Sequence, residues 1–309
     1  FGTDSLIEIY NILEEDTDSW AEQFKRFNDP APLPEEQEEG IRKTKRKSFF
    51  RQLAVLTKRY GELIRNDVPR LMLLLLQPVL IAVLIRLVSD DDVFEVFEPT
   101  KQILFTFSCS GIWIGIFNTI QEICKERAIL KREYMSNLRL SAYVLSKYVM
   151  QFLVSFLQTV IFVGLFLLLM GNVPSEGVVL PGAVEIFITM WLTIYASSAM
   201  GLLVSSVMKN GDRAMAVSPF LLIIQLLFSG ILFSLDGASQ IISYFTVSRW
   251  SVESLGNLKH VYQQIHFNAD PLFEYGWDHL ARTWLIMAAF VVVLGICSVI
   301  SLRSVSKDR

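Results

Sequence analysis

An all-α membrane protein with six transmembrane helices is predicted by three observations on this 309-residue chain. Six long apolar runs each approach the ~20 residues that a helix needs to cross a hydrocarbon core. Lys and Arg collect at alternate connections between those runs. The composition is 52% hydrophobic with 22 Phe and a mean hydropathy of +0.42, which suits lipid-exposed helices better than a soluble core.

Ten basic residues from Arg42 to Arg70 precede the first run, whereas Asp90, Asp91, Asp92, Glu95 and Glu98 follow it. Lys125, Arg127, Lys131 and Arg132 follow the second run, Glu176 the third, Lys209 and Arg213 the fourth, and Arg303, Lys307 and Arg309 end the chain. This alternation predicts a multi-pass protein with both termini cytoplasmic. The net charge of −3 averages an acidic amino-terminal segment with basic membrane flanks and so carries no information about a nucleic-acid partner; the partners expected are lipid and protein, not nucleic acid.

The first 40 residues read as a short helix and a linker. Ser5 and Glu8 have capping-box spacing, and Leu6, Ile9, Tyr10 and Leu13 repeat at helical intervals. DPAPLPEEQEEG, from Asp29 to Gly40, has the Pro and acid content of an extended solvated segment. The sequence begins at Phe1 without a Met or a short apolar stretch ahead of a cleavage site. No signal peptide is expected, and the chain is open to being a piece of a longer polypeptide.

From Ser48 to Asn66, Phe49, Leu53, Leu56, Tyr60, Leu63 and Ile64 recur on one helical face, with Arg51, Lys58, Arg59 and Arg65 elsewhere. This amphipathic helix suits the surface of the cytoplasmic leaflet or a protein surface, and the two are compatible. Spans are predicted at Leu71 to Val88, Gln102 to Gln121, Val144 to Met170, Val184 to Val207, Val217 to Leu235 and Leu280 to Leu302. Pro78 is expected to kink the first, Arg86 to snorkel at its outer end, and Pro219 to sit in the first turn of the fifth.

The connection from Leu235 to Leu280 is too apolar for a solvated loop. Ile241, Ile242, Tyr244, Phe245 and Trp250 predict a segment that dips back toward the interface, which requires that protein or water satisfy its backbone. Cys109, Cys124 and Cys297 are read as packed hydrophobes and leave no disulfide in either large external connection.

Several chemistries are missing. No Gly is followed directly by Lys, so there is no GxxxxGK[ST] phosphate loop, and there is no HExxH, CxxC or GxSxG. His260, His266 and His279 lack metal-ligand spacing, and Glu185 near an outer end is almost the only carboxylate within a span. No catalytic constellation is expected.

The most suggestive polar segment is EICKERAILKREYMSNLRL, Glu122 to Leu140. As a helix it can turn Ile123, Ile129, Leu130 and Tyr134 toward the membrane domain. Glu126, Arg127, Arg132 and Glu133 then find no opposite charge three or four residues away, which leaves both signs for an external partner.

RLMLLLLQP at Arg70 to Pro78, KERAILKREYMSNLRLSAYVLSK at Lys125 to Lys147, FSGILF at Phe228 to Phe233 and SRWSVESLGN at Ser248 to Asn257 follow in an order and spacing that resembles the permease half of G-subfamily ABC exporters. The resemblance covers roughly Phe1 to Leu302. It extends to bacterial members in which a forkhead-associated domain and an ATPase precede the permease.

The resemblance implies a type-2 ABC permease that pairs with a second, identical half in a bacterial inner membrane. An ABC ATPase domain upstream on the same polypeptide would bind ATP and Mg, with no cofactor in this chain. Residues 1–40 would be the linker after that ATPase, 41–69 a connecting helix and 70–309 the six-span domain. Phe49 to Ile64 and the coupling helix Lys125 to Tyr134 would pack on the ATPase, and Glu126, Arg127, Arg132 and Glu133 would transmit its closure. Ile231 and Leu232, beside Gly230, would form an apolar plug, with Ile in place of a usual leucine. Gly111, Ile114 and Phe117 would line a central cavity. Drug-exporting members carry Asn and Phe where this chain has Gly111 and Ile114, so the resemblance does not extend to a flat-aromatic drug clamp. The expected cargo is apolar or amphipathic and lipid-like. A membrane scaffold that recruits a cytoplasmic partner, and an ATP-independent channel or carrier, are the alternatives.

Overall fold

The computed structural model describes residues 14, 16–27, 48–89, 93–135, 137–171, 176–257 and 275–305, the side chains of 304 and 305 excepted. The helix expected from Ser5, the linker, the basic run before Ser48, Asp90 to Asp92, and His260 and His266 lie outside these residues. The chain divides into two units, 1–46 and 47–309.

The first unit contributes helix α1 (Thr17–Phe27). Asp16 caps it by accepting the N–H of Ser19 at 3.3 Å. Trp20 is half-buried and Phe24 and Phe27 are exposed.

Among its described residues the second unit is helical. The amphipathic helix is α2 (Phe49–Asn66), and Asp67 turns the chain into the first span, α3 (Val68–Val88). The Asp67 carboxylate accepts the Arg70 N–H at 3.2 Å, with Pro69 in the first turn where its missing N–H costs nothing. The next helices are α4 (Phe97–Thr119), α5 (Arg127–Met135), α6 (Leu140–Met170), α7 (Gly182–Val207) and α8 (Gly211–Leu227). Two short helices, α9 (Ala238–Ser243) and α10 (Val247–Leu255), precede the last, α11 (Trp277–Val305).

Among the described residues, five helices are long and apolar enough to cross a membrane: α3, the α4 segment, α6, α7 and α11. The fifth expected span is shorter than predicted. Helix α8 runs for 17 residues, about 25 Å at the α-helical rise, and stops at Phe228 instead of reaching Leu235. It also starts six residues earlier than expected, so Pro219 lies in the helix interior and not in its first turn.

Both interior prolines strand a carbonyl, because proline offers no N–H to residue i−4. The Met215 carbonyl, orphaned by Pro219, accepts from the Ser218 hydroxyl at 2.7 Å. The Leu74 carbonyl, orphaned by Pro78, accepts from the Gln158 amide of α6 at 2.9 Å. Arg86 does not simply snorkel. Its Nε donates to the Leu169 carbonyl of α6 at 3.1 Å and its Nη1 to the Ser89 carbonyl at 3.3 Å, so it fastens the ends of α3 and α6 together.

Helix α7 is central and packs most extensively on α4 and α11, while α2 and α3 pack on α6. The α4–α7 approach rests on small residues. A Cβ on Gly115 would fall on the Ile194 carbonyl oxygen, and one on Gly111 would meet Met190 Cε at 2.6 Å. The string GIWIG, Gly111 to Gly115, therefore works as a close-packing motif between apolar helices. Thr119 seals the contact by donating to the Ser198 carbonyl of α7 at 2.8 Å.

After α8 the chain returns to pack on that helix: Trp250 is buried, whereas Ile241, Ile242, Tyr244 and Phe245 are exposed. Ser248 at the start of α10 donates its N–H to Gln225 Oε1 at 3.0 Å and its hydroxyl to the Gln225 carbonyl at 2.5 Å. Thr246 reaches the Phe228 carbonyl at 3.3 Å. The carbonyls of Gln225 and Phe228 at the end of α8 are thus paired by protein. Glu185 is also structural: its carboxylate accepts the N–H groups of Val178, Val179 and Leu180 at 2.9–3.0 Å.

Candidate functional site

Helix α4 ends at Thr119, and the chain turns through a 3-10 segment, Cys124–Glu126, into α5. The Ser205 hydroxyl of α7 accepts the N–H groups of Ile123 and Cys124 at 2.9 and 3.1 Å, which holds the turn open. Arg127 then donates to the Met208 carbonyl at the end of α7 at 2.8 Å. The turn therefore presents Glu122 and Glu126 inward, toward α2, α3 and α6.

Lys147 of α6 meets them. Its side chain is 2% exposed, and its Nζ lies 2.8 Å from Glu126 Oε1 and 3.8 Å from Glu122 Oε2. The same ammonium stands 3.7 Å above the centre of the Tyr60 ring of α2, a cation–π contact in a desolvated place. Arg70, at the start of α3, pairs with Glu122 at 2.6 Å and donates to the Tyr60 hydroxyl at 3.3 Å. Tyr60 in turn donates to Glu122, and Tyr143 of α6 donates to Glu126 at 2.7 Å. At the margin, Arg59 of α2 donates to Glu133 of α5.

Three cations (Arg59, Arg70, Lys147) face three carboxylates (Glu122, Glu126, Glu133), so the cluster is neutral. Burial, then the charge of Glu122, pushes the Tyr60 hydroxyl well above its ordinary value, which keeps it a donor. The Glu133 hydrogen bond raises the Arg59 guanidinium further. Such a buried network is costly to break on one side, because removing a single member leaves its partners charged and unpaired.

This arrangement corrects the sequence reading of the charged segment. Glu126 and Glu133 are engaged within the chain, since their partners lie far off in sequence and not one helical turn away. Arg127 caps α7, and Arg132 lies exposed on α5. Ile123 and Leu130 are buried as expected, but Ile129 and Tyr134 are exposed. Lys147, Arg70, Glu122 and Tyr60 were not expected in the cluster. A lysine a few residues inside a drawn membrane span was the available signal, since a cation at that depth needs a partner.

Beside the cluster, α2 and the turn after α5 enclose an open cleft of about 330 Å³ lined by Arg51, Gln52, Val55, Leu56, Glu133 and Leu138. Gln52 bridges it, donating to the Asn137 carbonyl at 3.3 Å and accepting the Arg139 N–H at 3.2 Å.

The expected path residues separate. Gly111 faces α7, and Ile114, 0% exposed, lies in the core that α4 shares with α6 and α7. Close helix approach explains Gly111 better than a cavity wall does. Phe117 is half-buried and stacks at 5.0 Å on Trp113, which is 47% exposed. Ile231, after Gly230 at φ +82°, packs on the core that contains Phe107 and Val252, while Leu232 is exposed.

A family model described as ABC-2 type transporter matches residues 51–257. The ABC transporter ATP-binding/permease protein Rv1747 of Mycobacterium tuberculosis (strain ATCC 25618 / H37Rv) is 25% identical over 308 residues, which cover 96% of this chain and 35% of that protein. The chain thus spans about a third of the length of the curated relative it matches. The matched residues include the buried cluster from Arg59 to Lys147, the α4–α7 contact and the returning segment to Asn257, and they amount to well over half of the sequence. This chain belongs to the ABC-2 type transporter family, as a multi-pass transmembrane transporter subunit.

Proposed function

We propose that this chain forms the membrane path of an ATP-driven exporter for an apolar or amphipathic, lipid-like cargo. Its energy comes from an ABC ATPase domain, upstream on the same polypeptide, that holds ATP and Mg. The single observation that supports coupling is the buried charge cluster. Through it α2 and α5, the two helices at the basic end outside the spans, are joined to α3, α4 and α6. A domain that pushes on either helix displaces three spans together. The cleft between α2 and the α5–α6 turn offers that domain a concave polar and apolar surface.

The relative's name joins ATP binding and permease in one protein, and this chain accounts for only 35% of it. The same reading makes the basic end cytoplasmic in a bacterial inner membrane, with both termini on that side, and pairs the chain with a second, identical half. Alternation between inward and outward states then needs contacts that differ between them. Ile231 and Leu232 form a plug whose exposed half, Leu232, is free to meet a second copy.

The test is ATP turnover by the full-length polypeptide in lipid vesicles, screened with amphipathic lipids and lipophilic compounds. Stimulation of the wild type is expected, and its loss when Glu126 and Glu133 are both reversed in charge. Intact full-length protein without ATP turnover in any lipid would remove the energy source and favour a scaffold.

A further inference from the structure

Gln158 of α6 is 1% exposed, within a segment otherwise suited to hydrocarbon. Both ends of its amide are used. Nε2 donates at 2.9 Å to the Leu74 carbonyl, the acceptor that Pro78 leaves without an intrahelical donor. Because Nε2 must face that carbonyl, Oε1 is fixed as the acceptor for Asn118 Nδ2 of α4, at 2.5 Å. One side chain therefore clamps α3, α4 and α6 at the level of the proline.

The two partners connect this clamp to the rest of the molecule. Leu74 lies one helical turn beyond Arg70, and Asn118 lies four residues before Glu122, which sits in the turn after α4, so each partner is tied along its own chain segment to the Arg70–Glu122 pair. Asn118 also follows Phe117, whose ring stacks on the exposed Trp113. A displacement of α2 that shifts Arg70 moves the Leu74 carbonyl, and Gln158 passes it to the face of α4 that carries Trp113 and Phe117.

We infer that Gln158 is a positioning residue that transmits movement of the basic-end charge cluster to the exposed aromatic face of α4, through the Leu74 carbonyl on one side and Asn118 on the other. This rests on the exporter reading and adds to it a particular route through the membrane. The Leu74 carbonyl, which Pro78 leaves without a donor in its own helix, depends on Gln158 for its hydrogen bond, so the two must move together or the bond is lost.

The experiment uses the full-length polypeptide in phosphatidylethanolamine–phosphatidylglycerol vesicles, with a lipophilic compound that stimulates wild-type ATP turnover. Gln158→Met is expected to lower the thermal midpoint and to cut the stimulated increment of turnover about fivefold, with basal turnover kept. Adding Pro78→Ala gives residue 78 an N–H for the Leu74 carbonyl and should recover the thermal midpoint but not the stimulated increment. Recovery of both would overturn the inference, because Gln158 would then only fill a gap left by proline. Wild-type stimulation in Gln158→Met would overturn it as well. If neither Gln158 variant folds, Asn118→Leu decides, since it leaves the Leu74 bond in place: a reduced increment supports the route and an unchanged one ends it. A wild type with no ATP turnover at all defeats the exporter reading and this inference together, whereas stimulated turnover indifferent to Gln158 defeats this inference alone.

Discussion

Arg59 donates to Glu133 across 74 residues of sequence, and so joins the helix before the first span to the helix after the second. Neither helix has its charged face to itself. What reaches one of them from outside reaches the other.

Arg59→Glu and Glu133→Arg, taken singly, should each reduce stimulated ATP turnover in the full-length protein. The double swap should restore it. The pair is partly exposed, so each single reversal should cost only about 0.2–1 kcal/mol of stability, and thermal unfolding should barely move. If the swap fails to rescue turnover, Glu133 acts on an external partner and not through Arg59.

Lys147 poses the opposite case, because its ammonium is enclosed between two carboxylates and the Tyr60 ring. Lys147→Met leaves Glu122 and Glu126 with Arg70 alone and should cost about 3–5 kcal/mol, read as a lowered unfolding midpoint in detergent. Lys147→Met combined with Glu126→Gln rebalances the charge and should recover much of that loss. A double variant no more stable than the single would mean that packing, and not charge pairing, sets the value of this position.

Much of the fold is visible in the sequence for a plain reason: a span must be a continuous apolar helix, and runs such as Val144 to Met170 leave no other reading. The fifth span is the exception. Its apolar run continues through FSGILF, but hydropathy does not register that Gly230 adopts φ +82° and that the carbonyls of Gln225 and Phe228 are paired by Ser248 and Thr246. The site was half legible. Glu126 and Glu133 stood out because no opposite charge lay within one helical turn, yet the partners that neutralise them, Lys147 and Arg59, come from helices that only the tertiary fold brings near. Gly111 and Ile114 were given a cavity role by the resemblance, which does not say what covers them in this chain, and here both are buried inside it. The four-residue spacing of Gly111 and Gly115 carried that information.

That spacing makes a graded prediction about packing. A Cβ at Gly115 would strike backbone, the Ile194 carbonyl, which has nowhere to go, so Gly115→Ala should cost about 1–3 kcal/mol. Gly111→Ala meets only the flexible tip of Met190 and should cost less. Gly164→Ala meets nothing within 4 Å and should be neutral or slightly stabilising. Unfolding midpoints that do not fall in this order would show that α4 and α7 are not held at this separation in the membrane.

On the exporter reading, two substitutions separate a cargo path on the buried face of α4 from one on its exposed aromatic face. Ile114 is fully buried in the core shared by α4, α6 and α7, so Ile114→Ala should open a cavity at about 2–5 kcal/mol without changing which compounds stimulate ATP turnover. Trp113 presents 47% of its surface and stacks on Phe117 from the outside. Trp113→Ala should lower the unfolding midpoint modestly, since about half of the side chain is covered and its stacking on Phe117 is lost. It should also shift the rank order of stimulating compounds, with flat or bulky apolar ones weakened most, because an aromatic face contributes about 0.5–1.5 kcal/mol to a stacked partner. The check is a dose–response panel for both variants beside the wild type. A changed rank order in Ile114→Ala with an unchanged one in Trp113→Ala would return the path to the buried face and require α4 to separate from α7 during transport.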